Sequence, residues 1–334
     1  MNRNRITIAD VAAAAGVSLM TVSRAMNDRE GIHPETRERI LKIAEKLGYH
    51  PSQIARGLVT HQTATLGLVM PDVANPFFAQ IARGAEEIAS QNGYNLFLIN
   101  TAEDLDREKK ALNSLLEKEI DGAVLCSSRL SQIEMLPYLE ALPATVLVNR
   151  TLDEPRPRVV TLNVNDCQGT QQAVDYLIAQ GRQHIALITG PENSISSQRR
   201  LNGYLRGLHA QRLPAREELV LHCSPTTSGG EEAALHLFGQ QPEIDGVIAF
   251  NDLVAVGVLR ACLQTQRSIP AQVAVIGADD IPLAGLTNPS LTTLHVDQTA
   301  LGEQAMIALL HLVCGEETPK RIVVEPKLVQ RQSA

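Results

Sequence analysis

Hydrophobic residues recur at helical spacing in two short runs near the start of the chain, and a glycine separates the runs. In the first run, Thr7 can cap a helix, and Asp10 lies in the first turn, where exposed N–H groups and the helix dipole favour an acid. Gly16 ends this helix, because glycine accepts the left-handed backbone of a tight stop. Ser18 can cap a second helix over residues 19–26. Two short helices joined by Gly-Val-Ser are typical of a helix-turn-helix, which places its second helix in the major groove of DNA.

The pattern continues with a third helix and then a short segment of a different kind. Proline is tolerated at the first helical position, so Pro34 is predicted to begin a helix that Gly48 ends. The three helices would form a head, residues 1–50, and the alternative is a helical hairpin that only packs. Residues 51–62 contain a helix too short to be stable alone, so these residues by themselves favour a linker over a segment that folds on DNA.

From Thr65 onward, short β-branched runs alternate with helical segments, which predicts parallel, doubly wound sheets. The predicted strands are TLGLVMPD, NLFLIN, GAVLCSS and ATVLVNR, then HIALITG, LVLHCS, DGVIAFND and VAVIGADD. Residues 151–166 carry two prolines and are interpreted as a crossing between two lobes. Two such lobes imply a cleft, and ligands of these sheets bind beyond the carboxyl ends of the strands. The candidates at those ends are Asp72, Asn100, Asn149, Asn251 and Asp279.

The composition indicates a soluble protein. With 44% hydrophobic residues, a chain of 334 residues can bury a sizeable core, but no apolar run reaches the roughly 18–20 residues that span a bilayer. The N-terminus lacks the apolar core of a signal peptide. We therefore expect a cytoplasmic protein with no membrane partner.

Charge is unevenly distributed along the chain. The net charge of −7 by itself argues against nucleic acid, but residues 1–60 carry nine Lys or Arg against six Asp or Glu, whereas the remainder carries 21 against 31. A head of charge +3 on a body of charge −10 suits a DNA-binding module whose body avoids non-specific contact with DNA.

The sequence lacks the signatures of metal sites and of common enzymes. No two of the five cysteines lie at C-x-x-C spacing and the nine histidines form no H-x-x-x-H pair, so we predict reduced, mostly buried thiols and no metal site. No G-x-G-x-x-G follows a strand, and neither G-x-x-x-x-G-K-[ST] nor G-x-S-x-G is present. We therefore expect no cofactor and no enzymatic activity.

Segments along essentially the whole chain resemble the LacI/GalR family of bacterial transcriptional regulators, and they occur in the family's order. They are TIADVAAAAGVSLMTVSRAMN, PETRERI, PSQIARGL, LGLVMPDVANPFFA, GPENSISSQRRLNGY, FNDLVAVG, VIGADD and LTTLHVD. The resemblance implies an all-α helix-turn-helix head (1–50), a hinge helix (51–62) and an α/β body (63–334) of two doubly wound parallel sheets, like a periplasmic sugar-binding protein. One lobe is expected at about 63–161 and 293–321, and the other at about 162–292 and 322–334.

The resemblance also implies which residues of the head contact DNA. Leu19, Met20 and Arg24 are expected to face base edges. The Arg24 guanidinium fits the two acceptors of guanine, whereas the two apolar side chains could press on a thymine methyl or pack on the head instead. The remaining expected DNA-binding residues of the head, most of them phosphate contacts, are Thr7, Ser18, Thr21, Ser23 and Asn27.

In the hinge, the resemblance replaces the linker interpretation. Leu58, with Ala55 near it, matches a leucine that wedges into a minor-groove step of bent DNA. This wedge requires two hinge helices side by side, and hence a homodimer on a near-palindromic operator.

In the cleft, the resemblance implies an effector site. Arg200 matches the arginine that anchors the effector, and Asp279 matches its acceptor partner. Asn251 is expected to be a second polar contact, with Asp252 capping the following helix. Four further expected contacts are Phe77, Phe78, Asn149 and Arg150, although one of the two phenylalanines is as typical of plain core.

The serines of GPENSISS, including Ser196, favour a sugar, and Ser194 stands where purine-binding relatives place an arginine. The resulting prediction is a repressor that binds double-stranded operator DNA as a homodimer and responds to a sugar-like effector. A regulator that responds to a purine or another metabolite is the first alternative. A transport-type binding protein and an enzyme are further alternatives, against which the head and the missing signatures argue.

Overall fold

The computed structural model describes residues 6–26, 30–49 and 62–334. The chain divides into two compact units, residues 1–64 and 65–334. The hinge helix predicted from the sequence falls almost entirely outside the described residues, which resume at Gln62.

Three helices form the head, and their bounds agree with the prediction. They are Ile8–Ala15, Leu19–Met26 and Pro34–Leu47. The Asp10 carboxylate accepts hydrogen bonds from the backbone N–H of Thr7 at 2.8 Å and from its hydroxyl at 2.7 Å, and Gly16 ends the first helix with φ of 65°. The first two helices meet at 105°, within the range of about 90–120° that is typical of a helix-turn-helix.

The head encloses a small core of its own. Val11, Val22 and Ile40, one from each helix, are fully buried, and Ala25 and Ala44 fill the space beside them. Because each helix presents only a narrow apolar stripe, none of them could bury this surface without the other two.

Two six-stranded sheets form the body. The strands of the first sheet are β1 Thr65–Met70, β2 Asn95–Asn100, β3 Gly122–Cys126, β4 Thr145–Val148, β5 Val159–Val164 and β11 Arg321–Val324, and those of the second are β6 Ile185–Thr189, β7 Val220–His222, β8 Gly246–Ala249, β9 Ala274–Asp279, β10 Thr292–His295 and β12 Lys327–Val329. The spatial orders are β11-β5-β4-β3-β1-β2 and β12-β10-β9-β8-β6-β7. Every neighbouring pair is parallel except β10 with β12, which confirms the predicted two-lobed, doubly wound architecture.

Helices join and cover the strands of both sheets. The α-helices of the body are Pro76–Gln91, Leu105–Glu117, Gln132–Ala141, Asp166–Ala179, Ile195–Ala210, Thr227–Gln240, Asp252–Gln264 and Gln298–Cys314, and the short 3-10 turns are Glu217–Leu219 and Pro282–Gly285. Strands covered on both faces are buried along their whole length, as in β3, β4 and β6.

The sequence interpretation of the lobes needs two corrections. Residues 151–166, interpreted as a crossing, contain the buried strand β5 of the first sheet, and the predictions also left out β10, β11, β12 and the helix Gln298–Cys314. The strands β5, β10 and β11 end at residues 164, 295 and 324, each three residues beyond the expected lobe boundary. The strand ends differ from the expected boundaries because neighbouring parallel strands extend to a common edge of the sheet. Local residue patterns do not mark where that edge lies.

Two helices of the first lobe pack backbone against backbone. A Cβ atom on Gly84 would lie 2.1 Å from the carbonyl oxygen of Thr299, and one on Gly302 would lie 2.1 Å from that of Ile81. The two glycines therefore let the helices Pro76–Gln91 and Gln298–Cys314 approach more closely than any side chain permits.

All five cysteines are free, and they differ in exposure. Cys126 and Cys262 are buried, whereas Cys314 is exposed. Burial raises the pKa of Cys126 to about 12, so this thiol stays protonated and unreactive at neutral pH. Among the described residues no single helix is long and apolar enough to cross a membrane, and the two bent helices of the head reach that length and composition only together.

Candidate ligand cavity and DNA-binding helix

A cavity of about 420 Å³ lies where the carboxyl ends of the two sheets face each other. Its wall includes residues that come within two positions after strands of both sheets, among them Asp72 after β1, Ser127 after β3 and Ser224 after β7. Four helices begin at this wall, and each is capped by a side chain that also lines it: Asn75, Ser194, Thr226 and Asn251. This is the position at which open parallel sheets bind small molecules.

The structure brings together seven of the eight residues expected to contact an effector. Those that line the cavity are Phe77, Phe78, Asn149, Ser196, Arg200, Asn251 and Asp279. Arg150 does not line it, because its buried side chain turns back into the first lobe and its Nη2 donates to the carbonyl of Leu130 at 2.6 Å. Asn100 is also absent from the wall, since its Oδ1 accepts from the backbone N–H of Val73 at 3.1 Å.

Arg200 is held by two carboxylates and an aromatic ring. Its Nε donates to Asp166 Oδ1 at 3.0 Å, and its Nη2 lies 3.0 Å from the same oxygen and 3.6 Å from Asp279 Oδ1. Its guanidinium stacks on Phe250 at 4.6 Å from the ring centroid. The resemblance implies Asp279 as the partner of Arg200. The nearer carboxylate is that of Asp166, which the sequence analysis did not predict.

Two polar atoms of this cluster have no partner within the described part of the chain. Arg200 Nη1 and Asp166 Oδ2 are both buried without a hydrogen bond. A buried donor and a buried acceptor of this kind each carry a desolvation cost until a ligand or water pairs with them. Arg200 and Asp279 line the cavity, whereas Asp166 does not, so a ligand there can exchange hydrogen bonds with Arg200 and Asp279.

Asp279 adopts an unusual backbone conformation at the end of β9. Its φ of 105° lies in a region that favours glycine, and the side chain of Gln298 donates to its carbonyl. Burial raises the pKa of Asp279 well above its ordinary value, although Arg200 opposes this shift. Such strain at the wall of a cavity is typical of a binding site.

Asn251 takes both the cavity position expected of it and the capping role expected of Asp252. Asn251 caps the helix Asp252–Gln264, because its Oδ1 accepts from the backbone N–H of Val254 at 2.8 Å, and it also lines the cavity. The prediction that Asp252 is the cap is wrong. Its fully buried carboxylate lies one residue inside the helix and accepts from the backbone N–H of Ile281 at 2.8 Å.

The phenylalanines serve both the core and the cavity. Phe77 and Phe78 are 6% and 8% exposed, belong to the core of the first lobe and line the cavity. Their rings meet edge to face, with centroids 5.1 Å apart. Beside them, Asn149 uses its Oδ1 to accept from the backbone N–H of Val164, so its carboxamide joins the ends of β4 and β5.

Sequence reasoning missed a second arginine in the wall. Arg129 donates from Nε to Glu103 Oε2 at 2.6 Å and from Nη2 to Glu103 Oε1 at 3.0 Å, which is a bidentate pair. Glu103 follows β2, and Arg129 follows β3. The two strands are not adjacent, so only the spatial strand order brings these residues together.

In the head, the second helix presents its first turn to solvent. Leu19 is 53% exposed and Met20 is 65% exposed, whereas Val22 and Ala25 are buried. The two apolar side chains therefore do not pack on the head, and Arg24 is exposed as well. Ser18 caps this helix through the backbone N–H of Thr21 at 3.2 Å. Three expected DNA contacts, Asn27, Ala55 and Leu58, lie outside the described residues.

Comparison with known proteins assigns both units. Residues 7–52 match the family of bacterial regulatory proteins described as the lacI family, and residues 63–332 match the family of periplasmic binding proteins and the sugar binding domain of the LacI family. The chain belongs to the LacI family. As a LacI-family member it is a DNA-binding transcriptional regulator and not an enzyme.

Individual LacI-family proteins match over nearly the whole chain. Catabolite control protein A of Priestia megaterium is 31% identical over 330 residues, which cover 98% of this chain and 99% of that protein. The ribose operon repressor of Bacillus subtilis strain 168 is 34% identical over 307 residues, which cover 92% and 91%.

Solved LacI-family structures share the fold. A complex of the transcriptional regulator CelR with cellobiose has 31% identity and a TM-score of 0.75, and the match covers 99% of this chain and 100% of that chain. The lac repressor dimer bound to operator and the anti-inducer ONPF has a TM-score of 0.90 over 99% of both chains. Its identity of 24% supports the fold alone.

Proposed function

We propose that this LacI-family regulator is a repressor that binds a palindromic operator as a homodimer and is controlled by a sugar-like effector in the cavity between its lobes. The observation that carries the proposal is the cluster around Arg200. Asp166 holds Arg200 from outside the wall, and Arg200 and Asp279 offer a donor and an acceptor side by side in the cavity, which is the pattern that adjacent sugar hydroxyls require. The rings of Phe77 and Phe250 supply apolar faces in the same cavity.

The head supports the DNA-binding half of the proposal. The exposed first turn of its second helix carries Leu19 and Met20, and Arg24 lies on the same helix. In a helix-turn-helix this turn contacts base edges, and two such heads contact two half-sites about one helical turn apart. The ribose operon repressor, at 34% identity, is named as a repressor, which favours the same role here.

A purine effector remains the alternative. Ser194 stands where the resemblance places the arginine of purine-binding relatives. It is buried and caps the helix Ile195–Ala210. A serine there gives no fixed positive charge to a purine, so the cavity favours hydroxyl-bearing ligands.

The proposal is tested by ligand and DNA binding on the full chain. We expect sugars from a panel, and not purine bases, to raise the melting temperature, and the stabilising sugar to change the affinity for an operator selected from a random DNA pool. Arg200→Lys should reduce the sugar affinity at least tenfold, because lysine cannot reproduce the forked contacts with two carboxylates. Arg206→Lys, at an exposed arginine of the same helix, is the matched control and should change nothing. Stabilisation by purine bases alone, or unchanged binding in Arg200→Lys, would contradict the proposed site.

A further inference from the structure

The turn after β9 directs three consecutive side chains to three different parts of the molecule. Asp279 lines the cavity, whereas the Asp280 carboxylate contacts an arginine and a histidine outside the wall. Ile281 is 2% exposed and belongs to the hydrophobic core of the first lobe, although β9 is a strand of the second sheet. This turn therefore joins a residue of the proposed effector site directly to the packing between the lobes.

Two residues of this turn have an uncommon backbone conformation. The φ angles of Asp279 and Asp280 are 105° and 55°, in the region that favours glycine. Consecutive non-glycine residues with positive φ persist only where the surrounding structure holds them. The turn is held at both ends, because Gln298 donates to the carbonyl of Asp279 and the backbone N–H of Ile281 donates to Asp252 at 2.8 Å. The contacts of the Asp280 carboxylate hold its middle.

The Asp280 carboxylate contacts two side chains from other segments. Its Oδ1 accepts from Arg331 Nη2 at 2.7 Å, and its Oδ2 lies 3.0 Å from Nδ1 of His295, the last residue of β10. Arg331 does not depend on this contact for its position, because its Nη1 donates to the carbonyl of Leu291 at 2.8 Å and its backbone N–H donates to the Thr292 hydroxyl at 2.9 Å. The arginine is therefore a fixed anchor, and Asp280 is the group that it positions.

His295 makes the second contact depend on pH. Histidine changes its charge within about pH 5–8, and a protonated ring forms a stronger hydrogen bond with a carboxylate than a neutral ring does. The His295 side chain is 43% exposed, so a proton can reach the ring and solvent screens part of the added attraction. Protonation should therefore strengthen the contact with Asp280 by a modest amount.

Other charged or titratable groups lie around this histidine on each neighbouring element. They are Asp279 on β9, Asp280 in the turn, Lys327 on β12, Arg331 in the C-terminal segment and Asp252 on the helix Asp252–Gln264. Burial raises the pKa of Asp252 to about 7 and that of Asp279 well above its ordinary value, so both can titrate in the same range. The effect of His295 is therefore identified by variants at this position and not by pH dependence alone.

We infer that Asp280 is a positioning residue of the effector site, and that a proton on His295 regulates effector affinity through it. With the ring protonated, Asp280 holds the turn, so Asp279 stays presented to the cavity and Ile281 stays in the core of the first lobe. With the ring neutral, the turn is held less firmly and the effector binds less tightly. The inference rests on the proposed effector site and adds a link between that site and pH.

The test is isothermal titration calorimetry of the full chain with ribose, galactose, glucose and cellobiose at about pH 5.5 and about pH 8. His295→Gln can still donate a hydrogen bond but carries no charge. We expect it to weaken the binding of the tightest of these sugars about threefold at the lower pH and to leave it unchanged at the higher pH. His295→Arg is charged at both pH values and should restore the low-pH affinity at both.

The comparison is made between chains at the same pH, so the titration of Asp252 and Asp279 is common to all of them. The matched control is His311→Gln, at a histidine of the first lobe whose side chain is also 43% exposed and pairs with Glu316. This variant should bind the sugar as the parent chain does at both pH values.

A second measurement needs no sugar. Hydrogen exchange of the ligand-free chain at the lower pH reports how firmly the turn is held. In Asp280→Asn, the amides of residues 280 and 281 should exchange about tenfold faster than in the parent, because the contacts in the middle of the turn are weakened. Should Asp280→Asn not fold, His295→Gln carries the same expectation with a smaller increase.

The outcomes separate the inference from the proposed function. Sugar affinity in His295→Gln equal to that of the parent at both pH values, or unchanged exchange of the turn in Asp280→Asn, would overturn the inference and leave a sugar-responsive regulator. If none of the sugars bound, the proposed sugar function would fail, and the link between pH and effector affinity would fail with it.

Discussion

The side chains of Leu19 and Met20 are exposed, so we expect them to affect the DNA preference of the head and not its stability. Both residues lie outside the core formed by Val11, Val22 and Ile40, so they contribute little to folding. An exposed apolar side chain at the start of the second helix is suited to contact with a thymine methyl group in the major groove.

We expect Leu19→Ala and Met20→Ala to leave the free energy of unfolding within about 0.5 kcal/mol of the parent value, as is usual at exposed positions. They should change the difference in binding free energy between bases by about 1–3 kcal/mol at one or two operator positions. Selection of bound DNA from a random pool measures this effect. Leu41→Ala, at a leucine of the third helix that is 38% exposed, is the control and should select the parent sequence. If the Leu19 and Met20 variants also selected the parent sequence, these side chains would not contact bases.

Asp252 makes stability depend on pH. Burial raises the pKa of Asp252 from an ordinary value of 3.8 to about 7. Between these values the folded chain holds a proton that the unfolded chain has released, so the free energy of unfolding decreases as the pH rises through this window. The full effect of this one group is on the order of 4 kcal/mol.

In Asp252→Asn the free energy of unfolding should therefore decrease less steeply between about pH 4 and pH 7. The slope against pH should change by up to the contribution of one bound proton. Denaturant unfolding at four pH values across the window measures the slope. Asp245→Asn is the comparison, at a partly exposed carboxylate that accepts backbone hydrogen bonds from residues 183 and 184. An unchanged slope in Asp252→Asn would show that this carboxyl is ionised in the folded chain.

At the scale of helices and strands, glycine decides how closely helices pack. Gly84 and Gly302 bring two helices of the first lobe into backbone contact, whereas Gly239 has no atom within 4 Å of the position of an added Cβ. The same substitution should therefore have opposite effects at different helical glycines.

Gly84→Ala should destabilise the chain by about 2 kcal/mol or more, because overpacking forces the backbone of the facing helix to move. Gly239→Ala should instead stabilise it by up to about 1 kcal/mol, because alanine favours the helical conformation. Chemical denaturation of both variants measures the difference. Equal effects of the two substitutions would contradict the close approach of the helices Pro76–Gln91 and Gln298–Cys314.

Local signals explain which elements the sequence predicts well. The helices of the head follow from Thr7, Gly16 and Gly48, because a cap or a stop acts within one turn. The strand β11 carries no comparable signal, since its partner β5 lies more than 150 residues earlier in the chain. The pairs Arg200–Asp166 and Arg129–Glu103 were missed for a related reason. The first depends on the packing of the helices Asp166–Ala179 and Ile195–Ala210, and the second on the spatial order of the strands, and residue spacing encodes neither.

At the scale of the whole molecule, the two units should respond to different ligands. The proposed effector cavity lies within residues 65–334, and the proposed DNA contacts lie in the head. A ligand stabilises the unit that binds it by an amount set by its concentration relative to its Kd.

In scanning calorimetry, an effector at 100 times its Kd should raise the transition of the body by roughly 5 °C. Operator DNA should instead raise the transition of the head. Arg206→Lys should respond to both ligands as the parent does, whereas Arg200→Lys should show a smaller shift with the effector and an unchanged shift with operator DNA. A single transition shifted equally by both ligands would contradict independent units.

The body crosses between its sheets three times within residues 62–334, after β5, after β10 and after β11. Three covalent crossings limit how far one lobe can move away from the other. A single proteolytic nick in one tether would leave two intact, so the cut chain should stay assembled and still enclose its ligand. A small molecule that contacts both lobes would therefore act on a joint that the chain crosses three times.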